Sequence, residues 1–282
     1  MGDFRKLIFR EKPFVVAIQE TKCNSVDIKW INHLWGSNEV EFLQKEKIGK
    51  SGGFLLLWDP KEFTSEQHYC SDFFIAIKGK WRGRDETSFI VNIYGPHDDS
   101  NKKKMWASLE NFVGQNDGAW VLCGDFNEVR NESERQRCAF LDRRAKWFND
   151  FIDNTHLIEV PLCGKKFTRI CDNGIKFSKL DRFLISEKFN NMWGDVSVLA
   201  LERLLSDHCP IVLRNKEIDF GPKPVKIFDE WLDEDGSKKV IKKAWAECIT
   251  GQRHDCNFRI KLKKVKFALK EWSKEKFGQT DK

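Results

Sequence analysis

Short apolar runs bounded by polar residues, glycine or proline recur between residues 14 and 213. Runs of this kind that are rich in β-branched and aromatic residues are typical of buried strands. Two of them, 73–77 and 87–93, flank a polar loop, which indicates an antiparallel hairpin. The predicted strands cover 14–18, 54–58, 73–77, 87–93, 120–123, 196–201 and 210–213.

Three further segments carry apolar residues at the spacing of one helix face. The predicted helices cover 4–11, 102–113 and 139–154. A second hairpin is predicted from arms at 166–170 and 179–186, because Asn173-Gly174 between them is a good turn signal. Strands flanked by single helices favour layered α/β packing over a strict alternation of the two elements.

The strand at 120–123 ends in the polar motif Gly124-Asp125-Phe126-Asn127. Side chains two positions apart in extended backbone project to the same side. Asp125 and Asn127 would therefore leave the end of a buried strand toward one patch of solvent, where α/β folds place their chemistry. For this motif alone, an Asx-turn that only closes the strand is an equally good interpretation.

Polar residues also stand at the ends of other predicted strands. They are Glu20, Tyr94, Asp181, Asp207 and His208. Each alone has an ordinary structural explanation, such as a solvated strand end or a hydrogen-bonded histidine. Together with Asp125 and Asn127, they would form a hard-oxygen metal site with an acid–base partner.

The composition and charge of the chain exclude few functions. The 282 residues are 40% hydrophobic and 33% charged, and no apolar run is long enough to span a membrane. The formal charge of +6 lies in residues 223–282, which hold 16 basic and 10 acidic side chains. Residues 1–222 are balanced, so the net charge gives no argument that the main body binds a polyanion.

The start of the chain and its cysteines indicate an intracellular protein without a thiol-based site. No basic-then-apolar signal peptide opens the sequence, so the predicted location is intracellular, with the nucleus as one option, and not secreted. The nine cysteines are scattered without a C-x-x-C pair. This argues against a disulfide framework, a zinc knuckle and a catalytic cysteine.

Five short motifs carry the polar residues at the strand ends. They are Gln19-Glu20-Thr21, Tyr94-Gly95-Pro96, Gly124-Asp125-Phe126-Asn127, Leu180-Asp181-Arg182-Phe183 and Ser206-Asp207-His208-Cys209-Pro210. In their order and spacing over residues 14–214, the motifs resemble the endonuclease/exonuclease/phosphatase family, which includes deoxyribonuclease I and the apurinic-site nucleases. The residue choice is most similar to the endonuclease segment of plant non-LTR retrotransposon polyproteins. There, a linker like that at 226–231 and a basic helix precede a reverse transcriptase, which is expected downstream of this chain.

The resemblance implies a four-layered α/β sandwich in which two mostly antiparallel sheets pack face to face with helices outside. It also implies hydrolysis of DNA phosphodiester bonds that depends on Mg²⁺ or Mn²⁺. Glu20 would ligate the metal, with Asp207 near it as a ligand or as a residue that supports the ligands. Carboxylates and retained waters suit Mg²⁺.

The resemblance also implies a role for each of the other motif residues. Asp125 would orient and deprotonate the attacking water, while Asn127 and Tyr94 would hold the phosphate oxygens. His208, oriented by Asp181, would stabilise charge on the phosphoryl group or assist proton transfer, which follows the logic of a catalytic triad.

One feature departs from the family pattern. Family members begin with a strand that carries an Asn in a Trp-Asn-x-Arg-Gly setting, whereas this chain opens at the helix that follows. The expected organisation is therefore an N-terminally truncated domain over 1–220 and a linker with a basic amphipathic helical tail over 221–282. The first alternative to an active nuclease is a catalytically inactive remnant of a retroelement polyprotein. The second is a phosphatase of inositol or small phosphates.

The tail contains apolar residues at heptad spacing, namely Phe258, Leu262, Val265, Leu269 and Trp272. An amphipathic helix that packs on downstream parts of the protein is favoured over an autonomous coiled coil. Contact of this basic helix with a nucleic-acid backbone is a third, weaker alternative.

Overall fold

A computed structural model describes residues 2–21, 25–46, 52–171, 174–204, 206–215, 235–246 and 254–277. Two compact units divide the chain, Met1–Ile218 and Asp219–Lys282. The predicted linker at 221–224, the segment 226–231 and turn residue Asn173 lie outside the described residues. Among the described helices, none combines the length and the apolar character needed to cross a bilayer.

The predicted helices are present, and so are the predicted strands outside the second hairpin, with their ends shifted by a few residues. The helices are α1 Gly2–Glu11, α2 Ile28–Trp35, α3 Asp99–Gly114, α4 Asp142–Thr155, α5 Glu187–Trp193, α6 Asp235–Ala246 and α7 His254–Phe277. Strands β1 to β8 are Val15–Gln19, Glu41–Lys45, Phe54–Trp58, Phe63–Cys70, Phe74–Trp81, Thr87–Tyr94, Ala119–Asp125 and Arg135–Gln136. Strands β9 to β15 are Ile158–Glu159, Leu162–Cys163, Arg169–Ile170, Phe177–Ser178, Asp181–Ile185, Ser197–Ala200 and Ile211–Arg214.

A six-stranded sheet in the order β4-β5-β6-β7-β13-β9 places polar strand ends side by side. Strands β6 and β7 are parallel, and their register sets Tyr94 opposite Asp125. Strand β13 is antiparallel to β7, so its first residue, Asp181, also lies opposite Asp125. The topology therefore brings these three residues into one row at one end of the sheet.

A second sheet, in the order β1-β3-β2, packs on the first through alternate residues of β3. Leu56 and Trp58 face the six-stranded sheet and are fully buried. Leu55 and Leu57 point the other way and pack against α1 and α2. This alternation follows from the strand period of two residues, and burial on both faces explains the unbroken apolar run in the sequence.

A third sheet, in the order β10-β14-β15, packs on the same face of the six-stranded sheet through Val198 and Val121. The opposite face of the six-stranded sheet is covered by α3 and α4. There Trp106 of α3 stacks on Phe148 of α4, with ring centroids 4.8 Å apart. Helices, sheet, sheet and helices thus form four layers, which confirms the predicted α/β sandwich.

The second predicted hairpin is wrong in its second arm. Strand β11 pairs with the short β12, whereas residues 181–185 form β13 and pair with β7 and β9. Most of β13 is buried, including Leu184 and Ile185, so a place inside the large sheet removes more apolar surface from water than a two-stranded hairpin does. The sequence pattern also missed β4, an edge strand with mostly exposed residues, because such a strand lacks an apolar signature.

In the second unit, α6 packs against α7. Ala244 of α6 and Leu269 of α7 are buried, and the Trp272 ring closely approaches Gly236. Leu262 is 48% exposed, so the predicted heptad seam is not continuous, and the side chain of Phe258 lies outside the described residues. Part of the apolar face of the basic helix is therefore covered by the preceding helix.

Candidate active site

The end of β7 turns sharply at Gly124. This residue has φ +129°, and a Cβ there would lie 2.1 Å from the carbonyl oxygen of Ile93, so only glycine fits. Asp125 then accepts a hydrogen bond from the backbone N–H of Asn127 through Oδ1 at 2.8 Å. The Asx-turn interpretation is thus correct for the backbone, and it leaves Oδ2 of Asp125 directed elsewhere.

Asn127 is buried and held from three directions. Its φ of +51° lies in the left-handed region, which asparagine tolerates better than most residues. The Nδ2 atom of Asn127 donates to the carbonyl oxygen of Gly95 at 2.7 Å, and Nζ of Lys102 donates to the carbonyl oxygen of Asn127 at 2.8 Å. Lys102 is itself buried and pairs with Glu128 at 3.2 Å. The loop that carries Asp125 and Asn127 therefore rests on a buried ion pair.

Gly95 allows this loop to approach the end of β6. Its N–H donates to the carbonyl oxygen of Asp125 at 2.7 Å, and a Cβ at this position would lie 2.2 Å from the carbonyl oxygen of Phe126. A side chain at residue 95 would therefore separate Tyr94 from Asp125.

His208 lies between two carboxylates. Its Nδ1 is 2.8 Å from Oδ2 of Asp181, and its Nε2 is 3.8 Å from Oδ2 of Asp125. Asp181 is fixed in turn, because its backbone N–H and that of Leu180 both donate to the buried Thr168 hydroxyl at 3.0 Å. The three ionisable groups form a line of the kind that orients an imidazole for acid–base chemistry.

The surroundings of these three groups disfavour the negative charge of the Asp125 carboxylate and favour the positive charge of the His208 imidazolium. Burial and the negative charge of Asp181 raise the pKa of Asp125 well above its ordinary value. Burial disfavours the imidazolium of His208, but the hydrogen bond and charge of Asp181 and the charges of Asp125 and Asp207 outweigh it and raise the pKa to about 9. His208 is therefore a cation at neutral pH, beside a carboxylate of increased basicity.

Glu20 joins the site through Tyr94, whose hydroxyl donates to its Oε1. Burial, then the hydrogen bond and charge of Glu20, raise the pKa of Tyr94, so the phenol stays protonated. The strand end before Glu20 is fixed by the buried Asn92, whose amide accepts from Gln19 and donates to the carbonyl oxygen of Ile18 at 3.0 Å. Glu20 itself is exposed and has φ +52°.

Asp207 pairs with an arginine that the sequence did not single out. Oδ2 of Asp207 accepts from Nε of Arg169 at 2.9 Å. Burial opposes ionisation of Asp207, but this hydrogen bond and the charges of His208 and Arg169 lower its pKa. Arg169 stands in a predicted strand without a motif of its own, so no sequence signal marked it.

All the predicted site residues lie in one region of the first unit. Tyr94 contacts Glu20 and is the register neighbour of Asp125, which faces His208. Asp207 is adjacent to His208 in the chain. Residues far apart in sequence are thus brought together at one end of the two packed sheets.

The donor set fits a hard divalent cation. Among the described residues, Asp125, Asp181 and His208 have oxygen and nitrogen atoms that all lie within 4.8 Å of one another, and the two carboxylates are the donors of this group while the His208 ring is protonated. With Glu20 and Asp207, the site holds four carboxylates against the cations of His208 and Arg169, and such an excess of carboxylate oxygen suits Mg²⁺ or a similar ion. Glu20 and Asp207 are more open to solvent than the two buried aspartates.

A sequence comparison extends over most of the chain. The family model described as "Endonuclease/Exonuclease/phosphatase family" matches residues 1–208. This range includes all the site residues above.

Solved structures with the same fold are similar to this chain at low sequence identity. An AP endonuclease, LMAP from Leishmania major, is 15% identical with a TM-score of 0.58, over 74% of this chain and 80% of that one. The endonuclease domain of TRAS1, a telomere-specific non-LTR retrotransposon, is 13% identical with a TM-score of 0.57, over 75% and 89%. The 3′ phosphatase NExo from Neisseria, bound to a product DNA hairpin, is 19% identical with a TM-score of 0.56, over 76% and 93%.

Proposed function

Since the chain belongs to the endonuclease/exonuclease/phosphatase family, we propose that it is a metal-dependent phosphodiester hydrolase that nicks DNA. The observation that supports this most strongly is the line of three groups at the sheet end, two buried carboxylates and the half-buried His208 between them. Oδ2 of Asp125 faces Nε2 of His208 at 3.8 Å, while Asp181 holds Nδ1 of the same ring at 2.8 Å. A base and an oriented cation on one rim are the groups that hydrolysis of a phosphate ester requires.

Asp125 is the proposed base. Its raised pKa makes the carboxylate a better proton acceptor near neutral pH. The water oxygen would form a bond to phosphorus as its proton passes to Asp125, and the bond to the leaving ester oxygen would break. His208, as an imidazolium, would stabilise charge on the phosphoryl oxygens or donate a proton, while Asn127 and Tyr94 would hold the phosphate.

Glu20 and Asp207 are the proposed metal-holding residues. A bound Mg²⁺ or Mn²⁺ would supply Lewis-acid stabilisation of charge on the phosphate. The hydroxyl of Tyr94 and the guanidinium of Arg169 orient these two carboxylates. Positioning by the protein would then account for much of the rate acceleration.

We further propose that the chain acts as the endonuclease part of a plant non-LTR retrotransposon polyprotein, with DNA as its substrate and a reverse transcriptase region downstream. The residue choice in the five motifs and the similarity in fold to the TRAS1 endonuclease domain support this. Such an enzyme would act in the nucleus. Residues 1–220 would form the hydrolase domain, and 221–282 the linker and basic tail.

Nicking of supercoiled plasmid in the presence of Mg²⁺ tests the proposed function. We expect the protein to convert supercoiled into open-circular DNA, and we expect EDTA to stop the conversion. Asp125→Asn and His208→Ala should each lower the initial rate by at least roughly 100-fold, because each removes a group that acts on the reacting atoms.

Two other outcomes would support the alternatives. A rate equal to that of the Asp125→Asn, His208→Ala double variant would indicate an inactive remnant. Release of inorganic phosphate from a 3′-phosphorylated oligonucleotide or an inositol phosphate, without plasmid nicking, would indicate a phosphatase. The similarity in fold to the Neisseria 3′ phosphatase makes the first of these substrates the one to test first.

A further inference from the structure

The backbone around Arg169 is built into the site. Arg169 forms an isolated antiparallel bridge with His208. On either side of it, the N–H of Ile170 donates to the carbonyl oxygen of Asp207 at 2.8 Å, and the N–H of Cys209 donates to that of Thr168 at 2.6 Å. Arg169 is therefore held in register with the residues that carry the proposed metal ligand and the imidazole.

The other side of the same segment is tied to Asp181. The side chain of Thr168, fully buried, accepts the backbone N–H groups of Leu180 and Asp181 at 3.0 Å. The segment 168–170 thus lies between the backbone of Asp181 and that of His208. Any displacement of Arg169 would also disturb the His208–Asp181 pair.

The guanidinium of Arg169 is only partly used by the protein. Nε donates to Asp207 at 2.9 Å, and within the described part of the chain neither Nη1 nor Nη2 has a hydrogen-bond partner. The side chain is 37% exposed, so these two nitrogens are within reach of an incoming molecule.

The charge of Arg169 acts on the same site. Burial is the largest cause of the pKa shifts of Tyr94 and Asp125, and the positive charge of Arg169 acts on both pKa values in the downward direction. The guanidinium therefore lies within electrostatic reach of the groups that would surround a bound phosphate.

We propose that Arg169 is a substrate-binding residue that contacts a DNA phosphate through Nη1 and Nη2, while Asp207 holds it through Nε. This rests on the proposed function, since it assigns a phosphate contact to the same site. An arginine suits the task because its planar fork can donate two parallel hydrogen bonds to a phosphate and it stays charged at every relevant pH. Asp207 restricts the rotation of the guanidinium, which lowers the entropy lost on binding.

The test measures binding of a fluorescein-labelled DNA duplex by anisotropy in EDTA, where no cleavage occurs. We expect Arg169→Gln to weaken binding roughly 10-fold, because a charge-assisted hydrogen-bond pair is lost. The slope of log K against log salt concentration should become less negative by about 0.9, which corresponds to one phosphate contact. Arg169→Lys should keep the slope but bind several-fold more weakly than the wild type, because it retains the charge without the fork.

Arg82→Gln is the matched control. Arg82 also pairs with a carboxylate, Glu62, at 3.1 Å, and it follows β5 at the end of the sheet opposite Tyr94. We expect its affinity and salt slope to equal those of the wild type. Circular dichroism and the thermal midpoint report whether each variant folds.

The outcomes separate this inference from the proposed function. Unchanged affinity and slope in folded Arg169→Gln would overturn the inference, and tighter Mn²⁺ binding by that variant would then mark Arg169 as a charge partner of Asp207 alone. If Arg169→Gln does not fold, a wild-type DNA affinity in Arg169→Lys would overturn the proposed contact through both Nη1 and Nη2. Weakened binding by Arg169→Gln in a protein that does not nick plasmid would sustain the phosphate contact and reject the hydrolase.

Discussion

At the scale of single residues, the site depends on His208 keeping one orientation and one charge. Asp181 accepts from its Nδ1 at 2.8 Å, and this carboxylate with Asp125 and Asp207 offsets the cost of burying the imidazolium. The carboxylate thus stabilises the imidazolium of His208 more than a neutral acceptor of the same shape would, because it adds a negative charge to the hydrogen bond.

Asp181→Asn tests that argument. We expect kcat for nicking to fall by roughly 10²- to 10⁴-fold, as expected when an oriented imidazole loses its charged partner. KM should change little, since Asp181 is buried behind His208 and does not face the substrate. Initial rates of nicking, measured over a range of plasmid concentrations, give kcat and KM. Exposed Asp195→Asn is the control, and equal effects of the two variants would contradict the assigned role.

At the scale of elements, helix α3 supports the loop that carries Asp125 and Asn127. Lys102, near its N-terminus, donates to the carbonyl oxygen of Asn127 and pairs with Glu128, and both charged side chains are 1% exposed. A buried charge is tolerated only when it is paired and hydrogen-bonded. This single lysine therefore fixes the distance between α3 and the end of β7.

Lys102→Met should lower the free energy of unfolding by about 3–5 kcal/mol, because it leaves Glu128 buried with part of its pairing lost. Urea denaturation followed by circular dichroism measures this. Lys104→Met, on an exposed position of the same helix, should change it by less than about 0.5 kcal/mol. A loss in Lys102→Met no larger than in the control would show that the ion pair does not support the loop.

At the scale of the whole molecule, a second charged cluster joins β9, β13 and the loop after β7. The guanidinium of Arg182, fully buried, contacts Glu134 at 2.5 Å and Glu159 at 2.6 Å. Burial opposes ionisation of Glu159, but the charges of Arg182 and Lys179 and the hydrogen bonds of Lys179 and Arg130 outweigh it and lower the pKa to about 2. The folded protein thus binds a proton at Glu159 less readily than the unfolded chain does.

The sign of the resulting pH dependence follows from linkage. The stability from Glu159 is fully present above its ordinary pKa of 4.5 and is lost as pH falls toward 2. The difference corresponds to roughly 3 kcal/mol. We expect the free energy of unfolding of the wild type to decline steeply over this range. That of Glu159→Gln should start lower and decline less steeply. Equal slopes for Glu159→Gln and the wild type would contradict this, and exposed Glu202→Gln serves as the control.

The sequence by itself determined the strongly apolar strands, the helices α1, α3 and α4, and the polar residues at the strand ends. Apolar runs such as Phe54–Trp58 specify strands buried on both faces, because burial and backbone pairing are favoured by the same local pattern. Polar residues at the ends of such runs, among them Glu20, Asp125 and His208, lie at one end of the packed sheets. The five motifs were therefore sufficient to nominate a common site, although the catalytic roles of its residues stay predictions.

Only the tertiary structure decided which distant segments meet. Residues 181–185 join β7 instead of closing a local hairpin, because a strand buried in the large sheet loses more apolar surface to the core. Arginine and lysine side chains such as those of Arg169 and Lys102 usually lie in solvent. One meets Asp207 across a strand pair and the other supports Asn127 from inside the protein. Their partners lie 38 and 25 residues away in the chain, and contacts of that range follow from packing, which no local pattern encodes.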